Sequence, residues 1–485
     1  MEDHAGVKTK KKSMKVLLVR PVTPKDMVLN TVPPIGLGYL ASALRKVGIE
    51  VGILDCIAKN YNFKKFNQYV KDFSPNIIGF QAFSNDVHSI NVSVGLMRKI
   101  NPKAILIVGG AHPSGVLEEI FDHIPDIDFA FRGESEIGLP VLINYLAKGE
   151  GSFDKDLFKT IPGLIWKDED GKIIVNPPVF VDNLDMLEFP SWDMIDPRTY
   201  PKAPQGVIFK NFPIAPLIVT RGCPFPCTFC AGNTISGYKI RARTIENVFK
   251  EITFLYESFN VREFHILDDN FTFEKQFVRN FCDEILKRNL KFSWCCPNGI
   301  RLDTLDKELL TLMKRAGCYY ISVGIESGSD MVLKDMNKKL SIPQIEEQIN
   351  LIKDCGLDVN GFFIIGYPTE TEKDIKKTID FGARLPLTRA QFYNFLPLPG
   401  TEIFRSLKLE GVINELDWDK LFQSKIPYAP SGLTKKKIDF LLKWAHLKFY
   451  FNFKRLFCLF RDIHKFGQFK FILKRALAYM CPKFH

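Results

Sequence analysis

Three cysteines in the pattern Cys223-x-x-x-Cys227-x-x-Cys230 limit this chain more than any other feature. They sit in TRGCPFPCTFC, directly after an apolar, strand-like run. Gly222, Pro224 and Pro226 fix the path of the loop around them. Soft thiolates so close together suit an iron–sulfur cluster or zinc. A four-iron cluster on three thiolates leaves one iron without a protein ligand, and an open metal position is what a catalytic site needs. A structural zinc knuckle needs a fourth ligand, and no further Cys or His stands at that spacing nearby. The chain has 11 cysteines, an odd number, and its polar start MEDHAGVKTKKKSMK has no secretory character. Reduced thiols in the cytoplasm are therefore expected, not disulfides.

The flanking sequence alternates between strand and helix patterns. Strands are expected at Lys15–Arg20, Val51–Asp55, Ile77–Phe80, Ala104–Val108 and Asp128–Phe131, with helices at Gly36–Val47 and Asp86–Ile100. This predicts a flavodoxin-like, doubly wound parallel sheet over residues 14–150, with ligands at the carboxyl ends of its strands. Residues 151–212 read as a hairpin around Asp170-Gly171 and a proline-punctuated linker. Residues 213–405 resume the alternation, with strands expected at Ala215–Thr220, Glu263–Leu267, Lys291–Cys295, Tyr319–Gly324, Asn360–Gly366 and Gln391–Leu396. Helices at Thr244–Ser258 and Phe277–Arg288 lie between them, so the segment predicts a partial (βα)6, TIM-like barrel. Residues 406–485 contain no strand signal and carry a basic, aromatic helix at Lys435–Phe460, with a similar stretch at Gln468–Met480. No run of ~18 apolar residues appears, so no membrane-spanning helix is expected.

With these motifs in order, the chain resembles the radical S-adenosylmethionine superfamily over about residues 213–405. HILDDNFT (265–272), NGIRLD (298–303), GIESGS (324–329) and GFFIIGYPTE (361–370) follow the cysteine loop at successive strand ends, as in that family. There the amino and carboxyl groups of S-adenosylmethionine bind the open iron, and an electron from the cluster releases a 5′-deoxyadenosyl radical. The resemblance implies Cys223, Cys227 and Cys230 as the ligands of a [4Fe–4S] cluster. It implies Phe229 and Gly366 near adenine, and Glu326 and Ser327 near the amino-acid and ribose parts. It directs Asp269, Asn298 and Arg301 to the same cavity without fixing their roles. Cys295 and Cys296 read as core packing, and the isolated cysteines read likewise.

The N-terminal segment, with PPIGLGYLASALRK and VGGAHPS, resembles the cobalamin-binding domain fused to many such enzymes. Gly109 and Gly110 then serve as a bare backbone on which a flat corrin can rest. The loop Pro21–Pro34 departs from the pattern of cobalamin mutases, because it lacks their cobalt-ligating histidine. The resemblance implies cobalamin held without a protein histidine, or a degenerate domain that binds none. His112 reads as a loop histidine hydrogen-bonded to backbone.

Together these resemblances imply a class B radical methylase or an enzyme like the anaerobic magnesium-protoporphyrin cyclases. The first reading is methylation of an unactivated carbon; the second is oxidative cyclisation or rearrangement. A cobalamin or cluster sensor is the non-enzymatic alternative. Methylthiolation needs an N-terminal cysteine trio, and the first 150 residues contain only Cys56. The expected partners are a small molecule (a lipid, isoprenoid or tetrapyrrole), an electron donor such as flavodoxin or ferredoxin, and no nucleic acid. The charge pattern adds one further expectation. The segment 434–485 holds 13 of the 66 basic residues and 2 of the 55 acidic ones, which accounts for the whole net charge of +11. Its helix either lies in the face of an anionic inner membrane or packs on the barrel with its lysines in water.

Overall fold

The computed structural model describes residues 14–23, 31–148, 154–201, 209–414, 416–422, 425–452 and 455. The first sheet contains β1 (Lys15–Arg20), β2 (Glu50–Asp55), β3 (Ile77–Gln81), β4 (Ile105–Gly109), β5 (Phe129–Phe131), β6 (Leu164–Lys167) and β7 (Ile173–Val175). Its order is β2-β1-β3-β4-β5-β6-β7, parallel through β5 and antiparallel at β6 and β7. A parallel sheet must be covered on both faces, so its strands read as continuous apolar runs. Leu17, Leu18 and Val19 are accordingly all buried, with Leu18 on one face and Leu17 and Val19 on the other.

The hairpin expected in the linker is built into this sheet. Phe129 pairs with Trp166, and Ile165 with Val175, so the first unit runs past residue 150. The fully buried Trp166 explains why the hairpin docks, since its ring packs edge-on against Phe158 at 5.3 Å.

The second sheet contains β8 (Ile214–Leu217), with a short ribbon of β9 (Thr220–Arg221) and β10 (Arg241–Ala242) beside it. It continues through β11 (Glu263–Ile266), β12 (Ser293–Ile300), β13 (Cys318–Glu326), β14 (Asp358–Ile365) and β15 (Arg389–Asn394). The order β15-β14-β13-β12-β11-β8 is parallel throughout, which is the six-stranded partial barrel. Several of its helices start at side-chain caps: Asp306 accepts from the Leu309 amide at 2.8 Å, and Thr371 exchanges bonds with Asp374. One apolar core runs from Leu18 and Leu37 in the first unit to Trp294 and Phe363 in the barrel.

The helix Lys435–Tyr450 packs on β15 and on the helix Glu372–Arg384. Ile438, Leu441, Ala445 and Phe449 are buried, Tyr450 donates to the Ala390 carbonyl at 3.0 Å, and Lys448 pairs with Asp380 at 2.6 Å. The packed reading of this helix therefore holds for its inner face. Its outer face leaves Phe440, Leu447 and Phe451 exposed among lysines. The expected continuation to Phe460 and the stretch 468–480 lie outside the described residues. No helix among the described residues is long and apolar enough to cross a membrane.

Candidate active site

The cysteine loop leaves β9 through Gly222, whose φ of +93 only glycine adopts readily. The Cys223 amide donates to the Gly237 carbonyl at 3.2 Å, and the Cys230 amide to the Cys227 carbonyl at 3.0 Å. These bonds fold the loop so that the three thiols act on one another electrostatically. Desolvation pushes the Cys230 thiol up to about 11 and also raises Cys223, and nearby Asp269 acts in the same direction. In these two residues a bound cation must displace the thiol proton, which is how thiolate metal sites form. The other described cysteines are elsewhere: Cys56 is in the first unit's core, and Cys282, Cys296 and Cys318 are in the barrel's. Three soft donors on one loop, with no fourth cysteine beside them among the described residues, fit a cluster with one open corner.

Around the loop stand the ends of the barrel strands. Arg301 lies 4.0 Å from the Cys227 sulfur, and its guanidinium carbon is 3.7 Å from the centre of the Phe225 ring. Glu326, at the end of β13, takes a left-handed φ of +66, costly for a non-glycine residue. Lys338 holds it there through a buried ion pair at 2.7 Å. Gly324 makes room for that pair, since a Cβ there would collide with Glu326 Oε1 and Lys338 Nζ. Phe229 packs in an aromatic cluster with Tyr367, Phe395 and Phe404, and Tyr367 follows Gly366 directly. The Glu370 carboxylate accepts from the Gly366 amide at 2.7 Å and from the Tyr367 amide at 3.0 Å, which shapes this turn. Burial pushes the Glu370 carboxyl up to about 8.

Asn298 is exposed at the rim and donates to the Leu267 carbonyl at 2.9 Å. Ser327 departs from expectation. It is fully buried, its hydroxyl shared with Thr378 at 3.1 Å and with the Ser329 amide at 3.2 Å. Its side chain is used inside the fold because the turn after β13 must satisfy its own polar groups. Cys295 and Cys296 separate by strand alternation. Cys296 faces the outer core, while Cys295 faces the barrel floor beside Glu263 and His265. Glu263 is already satisfied there by Tyr319 at 2.6 Å, His265 at 3.0 Å and the amides of Lys210 and Asn211.

A cavity of about 300 Å³ lies between the carboxyl ends of the two sheets. The first unit contributes Gly79, Gly109, Gly110 and Tyr39; the barrel contributes Thr220, Leu267 and Asp269. Gly110 has a φ of +117, and a Cβ there would lie 3.0 Å from the Ala82 carbonyl oxygen. Above Gly109 the space is open, with only Phe131 within 4 Å of a Cβ. This bare, apolar floor suits a flat ring that rests on backbone. Among the described residues, no histidine lines the cavity. His112 is fully buried and bonds Ser84 and His123, each at 3.0 Å, with its ring against Trp418. Its partners are side chains, not the backbone that the sequence suggested, and burial pushes it down to about 3. Asp269 joins the cavity to the cysteine loop: a Cβ on Gly232 would lie 3.7 Å from its carboxylate and 3.5 Å from the Cys230 sulfur.

Sequence reasoning missed Lys338 and the ionic lock between the units. Arg241 forks onto Glu134 at 2.6 and 2.9 Å, and Arg221 pairs with Glu136 at 2.8 Å. These partners stand far apart in sequence, so no local pattern could have joined them.

Comparison with known proteins agrees with both halves of this arrangement. The description "Radical SAM superfamily" matches residues 217–382, and "B12 binding domain" matches residues 26–143. An uncharacterised methyltransferase of Pyrococcus horikoshii is 32% identical over 470 residues, covering 96% of this chain and 98% of its own length. The anaerobic magnesium-protoporphyrin IX monomethyl ester cyclase of Rubrivivax gelatinosus is 26% identical over 404 residues, covering 81% and 70%. The solved structure of OxsB, a cobalamin-dependent S-adenosylmethionine radical enzyme, superposes with a TM-score of 0.73 at 19% identity. It covers 97% of this chain and 73% of its own, and at that identity the likeness concerns the fold.

Proposed function

Since the chain belongs to the radical SAM superfamily and carries a B12-binding domain, we propose that it methylates an unactivated carbon of a small molecule. The observation that carries this reading is the cavity between the two sheets, whose Asp269 also lies close enough to the cysteine loop to act on Cys223 and Cys230. Bound here, the cluster, S-adenosylmethionine and cobalamin would supply an electron, a radical and a methyl group, respectively.

The chain's own residues position these groups. Cys223, Cys227 and Cys230 would hold the cluster and leave one corner for S-adenosylmethionine. The buried Lys338–Glu326 pair offers one charge of each sign at the end of β13, suited to an amino acid's carboxylate and ammonium. Phe229, Tyr367 and the Gly366 turn give an apolar wall of the kind that stacks on adenine. Gly109 and Gly110 would carry the corrin, with no histidine among the described residues that line this cavity. Closing the two units around one space excludes water from reactive species.

Anaerobic reconstitution followed by product analysis tests the reading. Methylation predicts S-adenosylhomocysteine alongside 5′-deoxyadenosine in the presence of cobalamin. Turnover with 5′-deoxyadenosine alone would instead favour oxidative cyclisation, which the 26% identity to the cyclase supports as the second reading. That relative also favours a tetrapyrrole or another large apolar substrate over a sugar. A flavodoxin or ferredoxin is the natural electron source for a cytoplasmic enzyme of this kind.

The tail adds a finer proposal, peripheral contact with an anionic membrane. It is supported by the exposed Phe440, Leu447 and Phe451 beside the lysines of the last helix. Deleting the chain from Thr434 is a poor test, because it would strip Ile438, Leu441 and Phe449 from the barrel core. The variant Phe440→Ser/Leu447→Ser/Phe451→Ser spares the packed face. The unaltered protein should sediment with anionic vesicles, less so at high salt, and this variant should lose most of that binding. Equal sedimentation of the two proteins would discard the membrane contact.

A further inference from the structure

We propose that Arg301 raises the reduction potential of the cluster by aiming one edge of its guanidinium at the Cys227 sulfur. The inference rests on the reading of the three cysteines as cluster ligands.

Arg301 is held on every side but one. Its side chain is 6% exposed. Nε and Nη2 donate to the two carboxylate oxygens of Asp303 at 2.9 and 2.7 Å. Nη2 also donates to the Lys338 carbonyl at 2.8 Å. The guanidinium plane rests on Phe225, inside the cysteine loop, at 3.7 Å. This leaves Nη1 facing Cys227 Sγ at 4.0 Å, the outer limit of an N–H···S contact. A rigid arginine with a single edge directed at a ligand sulfur is a preoriented cation, and a preoriented cation needs no reorganisation when charge arrives.

Reduction adds one negative charge to the cluster and its thiolates. A cation and an N–H donor at the sulfur stabilise the reduced form more than the oxidised one, so the potential rises. Asp303 opposes this, but it acts less strongly at the sulfur, because its side chain is 35% exposed and so better screened by water. The two residues therefore predict shifts of opposite sign. Removing the arginine charge should make the cluster harder to reduce. Removing the aspartate charge should make it easier.

The test is an EPR-monitored redox titration of reconstituted full-length protein without S-adenosylmethionine, with titanium(III) citrate as reductant. Arg301→Gln should lower the reduced fraction relative to oxidised about tenfold at a given potential, a shift of about 59 mV for a one-electron couple. Asp303→Asn should move the potential the other way by a smaller amount. An unchanged potential in Arg301→Gln would overturn the inference. If Arg301 serves only to bind S-adenosylmethionine, its effect would appear only after that cofactor is added, and the inference would again fail. If Arg301→Gln does not fold or load iron, Asp303→Asn decides alone, and a shift in the negative direction or none refutes the proposal. A parent protein that takes up no four-iron cluster would overturn the cluster reading itself, which iron and sulfide counts reveal separately.

Discussion

Cys227→Ala should abolish both cluster loading and S-adenosylmethionine cleavage, while Cys355→Ala should change neither. Cys227 lies at the centre of the loop, with its carbonyl bonded to the Cys230 amide at 3.0 Å and its sulfur facing Arg301. Removing it leaves two thiols for a group that already has one open corner, and no described cysteine stands beside the loop to replace it. Groups that act as one unit fail together, so the cleavage rate should fall by about a thousandfold or more, to background. Cys355 is half-buried at the end of the helix Ile342–Asp354, where it touches Thr311 and Lys307. It serves as the control for cysteine loss as such. Iron per chain and 5′-deoxyadenosine formation under anaerobic reduction are the two readouts. Retention of parent-level iron by Cys227→Ala would show that the metal is held elsewhere.

The cluster loop was legible because its chemistry is local: three soft donors within eight residues specify a metal site whatever the rest of the chain does. The barrel was legible because each strand is buried on both faces, and nine consecutive buried residues from Cys318 to Glu326 cannot be mistaken for a surface element. Boundaries failed where burial alone decides. The hairpin β6–β7 has an unmistakable turn, yet nothing in its sequence says that β6 pairs with β5, 37 residues earlier for Trp166 and Phe129. The helix Phe63–Phe73 went unread because only Phe66 and Val70 are buried among its lysines.

The site was half legible for the same reason. Motif order placed Arg301, Glu326 and Gly366 at strand ends, where they stand. Direction was beyond it. Ser327 follows Glu326 yet points into the packing around Thr378, because a turn forced through the left-handed φ of Glu326 sends neighbouring side chains apart. Lys338 was invisible because its partner is 12 residues away across an intervening helix, with no fixed spacing to betray it.

The ionic lock between the units predicts a large loss of stability from a single charge. In Arg241→Ala, the Glu134 carboxylate would lose both prongs of its fork and remain 6% exposed, with only Arg221 at 3.4 Å and the Val181 amide at 3.0 Å to hold it. The carbonyls of Val181 and Ser236 would also lose their donor. Removing one partner of a buried pair costs about 3–5 kcal/mol, because the charge left behind is neither solvated nor matched. Replacing both, as Glu134→Leu/Arg241→Met, should restore much of that loss, since burying charge gains little over apolar packing. Lys239→Ala provides the contrast: its bridge to Asp182 is 75% and 77% exposed, and water screens such a pair so well that its loss should barely move the midpoint. Urea unfolding of the three variants measures all these terms together. The fork also fixes where the loop after β5 meets the cysteine domain, so Arg241→Ala should weaken cobalamin retention in a desalting assay even where the fold survives. Arg241→Ala unfolding at the parent's midpoint would mean that the two units are held together by their shared apolar core, with the lock contributing only orientation.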